Sequence, residues 1–494
     1  MSLRLSSRCA RALVLALLAS PAVSWAQAWV APSDEGLREA LERLVDDRVL
    51  DLPLLAWPIA SRELKAGLEA ARARTGLSAA QLSAIARIDA ALAPDPRQWF
   101  VAAGDPSDLR TFEDAPRELA ELGAAWRWQG NERFSGEFRV RAALHPNDDQ
   151  GARLDGSYLA ARTGNWLWTA GFQDRWWGGG YNGSLQLSSN ARPVFALSLD
   201  RETSQPFESR WLSWLGPWTI GTFFGALENR RPDSNHALLW GARASARPLP
   251  GLEFSVTRNA QFCGDKPPCS PKAFWNVLVG NDNVGESVSA ADEPGNQLAT
   301  YEIRWAGKIG EMPLGLYWQH TGETIDNKIP RPLRALDLIT LSTWGDTAAG
   351  GRWRAHLEAS STTCADFSSV QSADCAYENG VFSAGYRYRG RVFGHSTDSD
   401  SRQLVIGLVY SAPTHWVWTA RLRRAEINRI GFVPQGNHLL SKGPALWWVG
   451  EGTMERPLLG GNLELAVGLE RRRDDRSRAT QLDPRGYLRW TQRF

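Results

Sequence analysis

Trp416-Val417-Trp418-Thr419-Ala420-Arg421-Leu422-Arg423 decides how this chain is read. Taken alternately, Trp416, Trp418, Ala420 and Leu422 fall on one side and Val417, Thr419, Arg421 and Arg423 on the other, which is the period of an extended strand. The pattern recurs along the chain. Trp166, Trp168, Ala170 and Phe172 alternate with Leu167, Thr169, Gly171 and Gln173; Leu252, Phe254 and Val256 alternate with Glu253 and Ser255. Leu404, Ile406, Leu408 and Tyr410 do the same, as do Leu463, Leu465, Val467 and Leu469 against Glu464, Ala466, Gly468 and Glu470. Strands of this kind, separated by Gly, Asp, Asn and Pro turns, describe a large antiparallel sheet system from about Leu119 onward.

A soluble sandwich or propeller competes with a transmembrane barrel, and three features favour the barrel. One face is strongly apolar and aromatic while the alternate face carries Arg, Glu, Gln and Thr, the inverse of a small dry-cored domain. The chain has 24 tryptophans, many near strand ends, where interfacial girdles lie. The terminal run Tyr487-Leu488-Arg489-Trp490-Thr491-Gln492-Arg493-Phe494 places Leu488, Trp490 and Phe494 on one face, with Gln492 off-pattern. It resembles the closing strand of bacterial outer-membrane proteins. No run has the eighteen or so apolar residues of a spanning helix, and a closed barrel is the other way to satisfy every backbone polar group in lipid. At about 21 residues per strand and connection, the β region holds an even number near 16 to 18 strands.

Residues 29–118 are of another kind, rich in Ala, Leu, Arg and Glu with a helical period. Leu37, Leu41, Leu44 and Val45 share a face after Ser33, with Asp34 and Glu35 in the first turn. A second helix starts after Pro58 and Ser61 and carries Leu64 and Leu68. A third begins at Ser78-Ala79-Ala80-Gln81, a capping-box pattern, continues through Leu82, Ile85, Ile88 and Leu92, and is stopped by Pro94-Asp95-Pro96. Short and amphipathic, these helices form a small unit packed on something else.

The first 28 residues read as a cleaved export signal. Arg4, Arg8 and Arg11 precede the apolar core Ala12 to Ala19, and small residues follow at Ser24-Trp25-Ala26 or Ala26-Gln27-Ala28. Apart from Cys9, the cysteines are Cys263, Cys269, Cys364 and Cys375, two close pairs in polar segments. In an oxidising compartment they are expected as disulfides 263–269 and 364–375. Zinc is disfavoured by their spacing and by the lack of a histidine cluster nearby.

The stretch DRWWGGGYNGSLQLSSNARPVFALSLDR, Asp174 to Arg201, resembles the signature of the Wzi family of capsule-assembly outer-membrane proteins. YRYRGRVFGHSTDSDSRQ, Tyr386 to Gln403, is similar to a second segment of that family. The resemblance covers essentially the whole chain, although Gly179 and Tyr181 stand where the family tends to have Pro and Trp. It implies an 18-stranded barrel with an occluded lumen, preceded by a helical periplasmic unit. It also implies a role in attaching or organising surface polysaccharide, without enzymatic activity or a cofactor. The implied partners are capsular or extracellular polysaccharide, outer-membrane lipid or lipopolysaccharide, and the barrel-assembly machinery.

Within these stretches Trp176, Trp177 and Tyr181 are suited to stacking on sugar rings, or to girdle positions or packing inside a plugged barrel. Arg175 and Arg192 suit acidic groups on a polymer, or a lumenal network with Asp174, Asp200 or Glu202. Asn190 is a further polar candidate. Arg387, Arg389 and Arg391, alternating with Tyr386 and Tyr388, are expected on one strand face, as a positive stripe for an anionic polymer or for Asp398 and Asp400. A porin-like diffusion channel for small polar solutes is the alternative function. A hydrolase or acyltransferase is disfavoured, because His395-Ser396-Thr397-Asp398 comes without a nucleophile motif. A net charge of +2 argues against a nucleic-acid partner.

Overall fold

In the computed structural model, residues 27–93, 95–265, 269–279, 295–322, 325–326, 329–330, 335–364, 376–379, 382–431 and 440–494 are described. The export signal expected at 1–28 lies, up to residue 26, outside them. Nineteen extended segments hydrogen-bond into one closed antiparallel barrel. Ala152–Arg153 and Tyr158–Thr163 both pair with Phe134–Leu144 as two halves of one interrupted strand, so the wall has 18 strands.

The barrel closes where Thr480–Arg493 pairs with Arg97–Asp105, with Leu488 opposite Ala103 and Trp490 opposite Val101. The wall therefore begins at Arg97, inside the stretch expected to be helical, and not at Leu119. Arg97–Asp105 is short, small-residue-rich and placed directly after a proline pair, which hides its alternation. Val101 and Ala103 face out while Phe100 and Ala102 face in.

The alternation read from the sequence is the alternation of the wall. Trp168, Val256, Ile406, Leu422 and Val467 are exposed on the outer surface, whereas Thr169, Ser255, Val405, Arg423 and Ala466 are buried on the inner one. Among the described residues no helix is long and apolar enough to cross a membrane, so the outward apolar belt belongs to strands. Tight connections such as Pro250–Gly251, Gly310–Glu311 and Leu459–Gly460 gather at the end that also holds the C-terminus. Aromatic pairs Trp99–Trp490 and Trp416–Trp418 ring this turn end. The connections 172–194 and 362–401 leave the wall at the opposite, loop end, whereas the long 202–217 connection lies at the turn end.

Three helices precede the barrel: α1 (Glu35–Asp46), α2 (Ser61–Arg72) and α3 (Ala79–Ala91). Asp34 caps α1 by accepting from Leu37 N–H, and α3 carries the full Ser78/Gln81 capping box. Leu37, Leu41, Leu44 and Val45 pack with Leu64, Leu68, Ile85 and Ile88 in one apolar cluster. Every residue of α1 is buried, because this helix sits inside the turn end of the barrel. Its acidic residues Glu35, Glu39, Glu42 and Asp46 are spaced i, i+4, i+7, i+11, a single stripe. That stripe meets inward arginines of the wall: Arg421 to Glu35 at 2.9 Å, Arg352 to Glu39 at 2.9 Å, Arg354 to Glu42 at 3.3 Å and to Asp46 at 2.8 Å, and Arg304 to Asp46 at 2.6 Å. Arginines on alternate strand positions thus hold a helix that would otherwise bury uncompensated carboxylates.

Candidate functional site

The two stretches that carry the family resemblance meet inside the lumen. After wall strand Trp166–Gly171 the chain turns inward and runs back toward the turn end, where Trp176–Trp177 pairs antiparallel with Ala56–Trp57. Trp177 N–H donates to Leu187 O, which ties the descending limb to the returning one. Glycines are required between the limbs. A Cβ on Gly180 would lie 2.3 Å from Gly183 O, and one on Gly179 2.7 Å from the Tyr317 ring. The bare backbone there lets Arg38 of α1 donate to Gly179 O and Gly180 O, both at 2.7 Å.

Trp176 is fully buried against Phe112, and Trp177 packs edge-on to Phe223. Tyr181 lies beneath the Arg38 guanidinium, stacks on His356, and its hydroxyl donates to Glu42. All three aromatics are buried where the helical unit meets the plug, the packing position weighed beside sugar stacking. Arg175 lies over the Phe223 ring and donates to Gln173, in a cavity of about 80 Å³ between the helices and the wall. Burial pushes its guanidinium down to about 10. Arg192 does not pair with Asp174, Asp200 or Glu202. Its guanidinium forks onto Asp155, both contacts at 2.8 Å, and also reaches Asp148.

The second stretch forms a hairpin, Arg387–Tyr388 against Arg391–Val392. Its turn is Arg389-Gly390, with φ of 50° and 79°. Because the chain reverses there, the three arginines do not share one strand face as expected. Arg387 is buried between Glu378 and Asp398, the latter at 2.6 Å. Arg389 occupies the turn, its backbone N–H donating to Glu228 and its guanidinium against Tyr388. Arg391 reaches across to the first stretch, donating to Asn190 O and Oδ1 and to Asp108 O. Asn190 in turn donates to Val392 O at 2.9 Å, and Ser188 Oγ donates to Gly394 O. His395 fits against Gly183, where an added Cβ would be 2.1 Å from the imidazole. Its Nδ1 lies 2.8 Å from Thr397 Oγ1, and burial pushes the ring down to about 3, so it stays neutral.

Cys263 and Cys269 form a disulfide at the loop end. Cys375 lies outside the described residues, so the expected 364–375 pairing is not described. Among the described residues no His, Cys, Asp and Glu group could hold a metal. Sequence reasoning missed the loop Pro106–Glu118, which supplies Arg110 and Arg117 to the plug. Arg117 donates to Ser189 O, Asn190 O and Ala191 O, holding the first stretch from the other side. It also missed the acidic stripe of α1, for which the i, i+4, i+7, i+11 spacing was an available signal.

A membrane-spanning antiparallel barrel whose lumen is filled by its own N-terminal helix and inward loops is the class of protein that this geometry defines. The chain belongs to the capsule assembly protein Wzi family, whose sequence profile matches residues 116–470. Fold and family together place it in the bacterial outer membrane. Its fold is similar to that of Wzi from Escherichia coli, an outer-membrane protein involved in group 1 capsule assembly and a carbohydrate-binding β-barrel. The TM-score is 0.83 at 20% identity, covering 95% of this chain and 100% of that one. An uncharacterized 55.8 kDa protein in the cps region of Klebsiella pneumoniae is 28% identical over 335 residues. That alignment takes in 65% of this chain and 63% of the Klebsiella protein, less than two thirds of its length.

Proposed function

We propose that this chain is a non-catalytic outer-membrane protein that attaches or organises capsular or extracellular polysaccharide at the cell surface. The observation that carries the reading is the use made of the two family stretches: both fold inward and hydrogen-bond to each other across the lumen through Asn190, Ser188 and Arg391. A barrel filled in this way offers its loop end as a surface, not its lumen as a path, which disfavours the diffusion channel. In the membrane, the turn end with its helices faces the periplasm and the loop end faces outward. Residues 1–28 direct export, the assembly machinery inserts the barrel, and lipopolysaccharide surrounds it. The carbohydrate-binding character of the Escherichia coli relative supports the assignment of the partner.

The test is twofold. Purified protein in detergent is expected to retard in affinity gels containing surface polysaccharide from the source strain, and to give no conductance steps in planar bilayers. Porin-sized steps with no retardation would move the function to the diffusion channel.

A further inference from the structure

Most lumenal arginines described above meet a carboxylate; of those that do not, three cluster at the loop end. Arg110, Arg117 and Arg391 converge on the backbone of the plug. Arg117 and Arg391 both donate to Asn190 O, at 2.9 Å and 3.1 Å. Arg391 also reaches Asp108 O at 2.7 Å, next to Arg110, and Arg110 donates to Pro116 O, next to Arg117, at 3.0 Å. Among the described residues none of the three has a carboxylate within 4.0 Å. The acids around them are already engaged: Asp108 by Arg472, Asp398 by Arg387, Glu118 by Arg153, Asp155 by Arg192 and Asp114 by Arg141. Asp174 faces Arg117 without closing to pairing distance, and burial pushes its carboxyl up to about 6.

Arg110 is only 7% exposed, and its Nε is buried with no hydrogen-bond partner among the described residues. Arg117 and Arg391 keep partial solvent exposure. Burial, opposed by Asp108 and aided by the nearby Arg117, pushes Arg391 down to about 10. Nearby carboxylates act on these guanidinium groups only from beyond pairing distance, Asp174 and Asp155 on Arg117 and Asp108 on Arg391, so the direct partners are carbonyl oxygens and an anion could close on the cluster with better geometry.

We propose that Arg110, Arg117 and Arg391 form a binding site for an anionic sugar residue of the surface polymer, entered from the loop end. The inference rests on the polysaccharide-attachment reading and adds the substrate class: a polymer bearing carboxylate or sulfate groups, not a neutral glycan. Arg117 and Arg391 contact the anion, and Arg110 behind them supplies field and holds the 106–118 loop in place.

The test uses the full chain in detergent micelles, with polygalacturonate, dextran sulfate and neutral dextran as immobilised probes. Binding to one or both anionic probes and not to dextran is expected, and which one binds tells carboxylate from sulfate. Counterion release predicts weakening by about tenfold or more between low and high salt in the unaltered protein, so this readout needs no variant. R117Q/R391Q is expected to lose at least about tenfold in affinity while keeping the heat-modifiable gel shift of the folded barrel. Equal binding to dextran, salt-independent binding, or unchanged affinity in a folded R117Q/R391Q protein would each overturn the site. In cells the two levels separate. If deleting the gene releases polymer but the R117Q/R391Q strain retains it, the anion site fails and the attachment reading stands. If the deletion strain retains its polymer, the attachment reading itself fails.

Discussion

Single residues in the plug are constrained by contact, not by exposure. Gly183 backs directly onto the buried His395 ring, and Gly180 onto a backbone carbonyl that has no freedom to move away. Gly183→Ala is therefore expected to loosen the junction of the two family stretches by about 1–3 kcal/mol, the usual range for overpacking. Hydrogen exchange at 183–190 and 393–398 would show it as faster local opening, and unchanged protection would contradict the contact. Glu35 gives a pH signature. Burial pushes its carboxyl from 4.5 up to about 7, against the pull of Arg421. Its folded value lies above its unfolded one, so the docked helix binds more protons between those limits and its stability falls as pH rises through that window. Glu42 lies outside that window. Burial alone would raise it, but Arg38, Arg354 and Arg304 hold it at about 2, so its contribution is lost only as pH falls from about 4.5 toward that value. Exchange protection of α1, corrected for intrinsic rates, should decline from pH 5 to pH 7 in the native chain. Glu35→Gln should abolish that decline, and an identical slope in the variant would remove Glu35 as its cause.

At the scale of elements, helix α1 and the wall are one electrostatic unit. Arg354 serves both Glu42 and Asp46, so Arg354→Ala leaves two buried carboxylates short of a partner. Arg38 still serves Glu42 and Arg304 still serves Asp46, so a loss of about 1–3 kcal/mol in the docking of α1 is expected, measured as exchange protection of Leu41 to Val45 with the barrel strands unaffected. Equal protection in variant and native chains would show that apolar packing alone holds the helix. The three helices were legible in sequence because caps and the 3.6 period are local: Ser78 with Gln81 names its own N-terminus. The strands were legible because period-2 alternation survives wherever one face meets lipid. Arg97–Asp105 was not, since Ala102, Ala103 and Gly104 carry little contrast between faces. The hairpin at Arg389-Gly390 was missed because Arg-Tyr alternation reads as a continuous strand until two successive positive φ angles reverse it. The site fared worse than the fold. Trp176, Trp177 and Tyr181 were conspicuous as residues, but an indole that packs on Phe112 looks the same in sequence as one that stacks on a sugar. Which acceptor answers which arginine is a long-range fact, as Arg421 with the Glu35 carboxylate and Arg391 with the Asn190 amide oxygen illustrate.

For the whole molecule, the filled lumen separates the possible functions. A channel needs a polar, water-filled bore, whereas here α1 enters from one end and the two family stretches from inside the wall. The proposed polymer surface is the loop end, where Arg117 and Arg391 lie beside Asn190 with no carboxylate in pairing distance among the described residues. Retention of polysaccharide on the cell by this surface is measured by quantifying polymer in the cell-bound and medium fractions with the gene deleted and restored. Unchanged total polymer that shifts into the medium on deletion and returns on complementation is the predicted result. Polymer that stays on the deleted cells, with uptake of small polar solutes impaired instead, would contradict it.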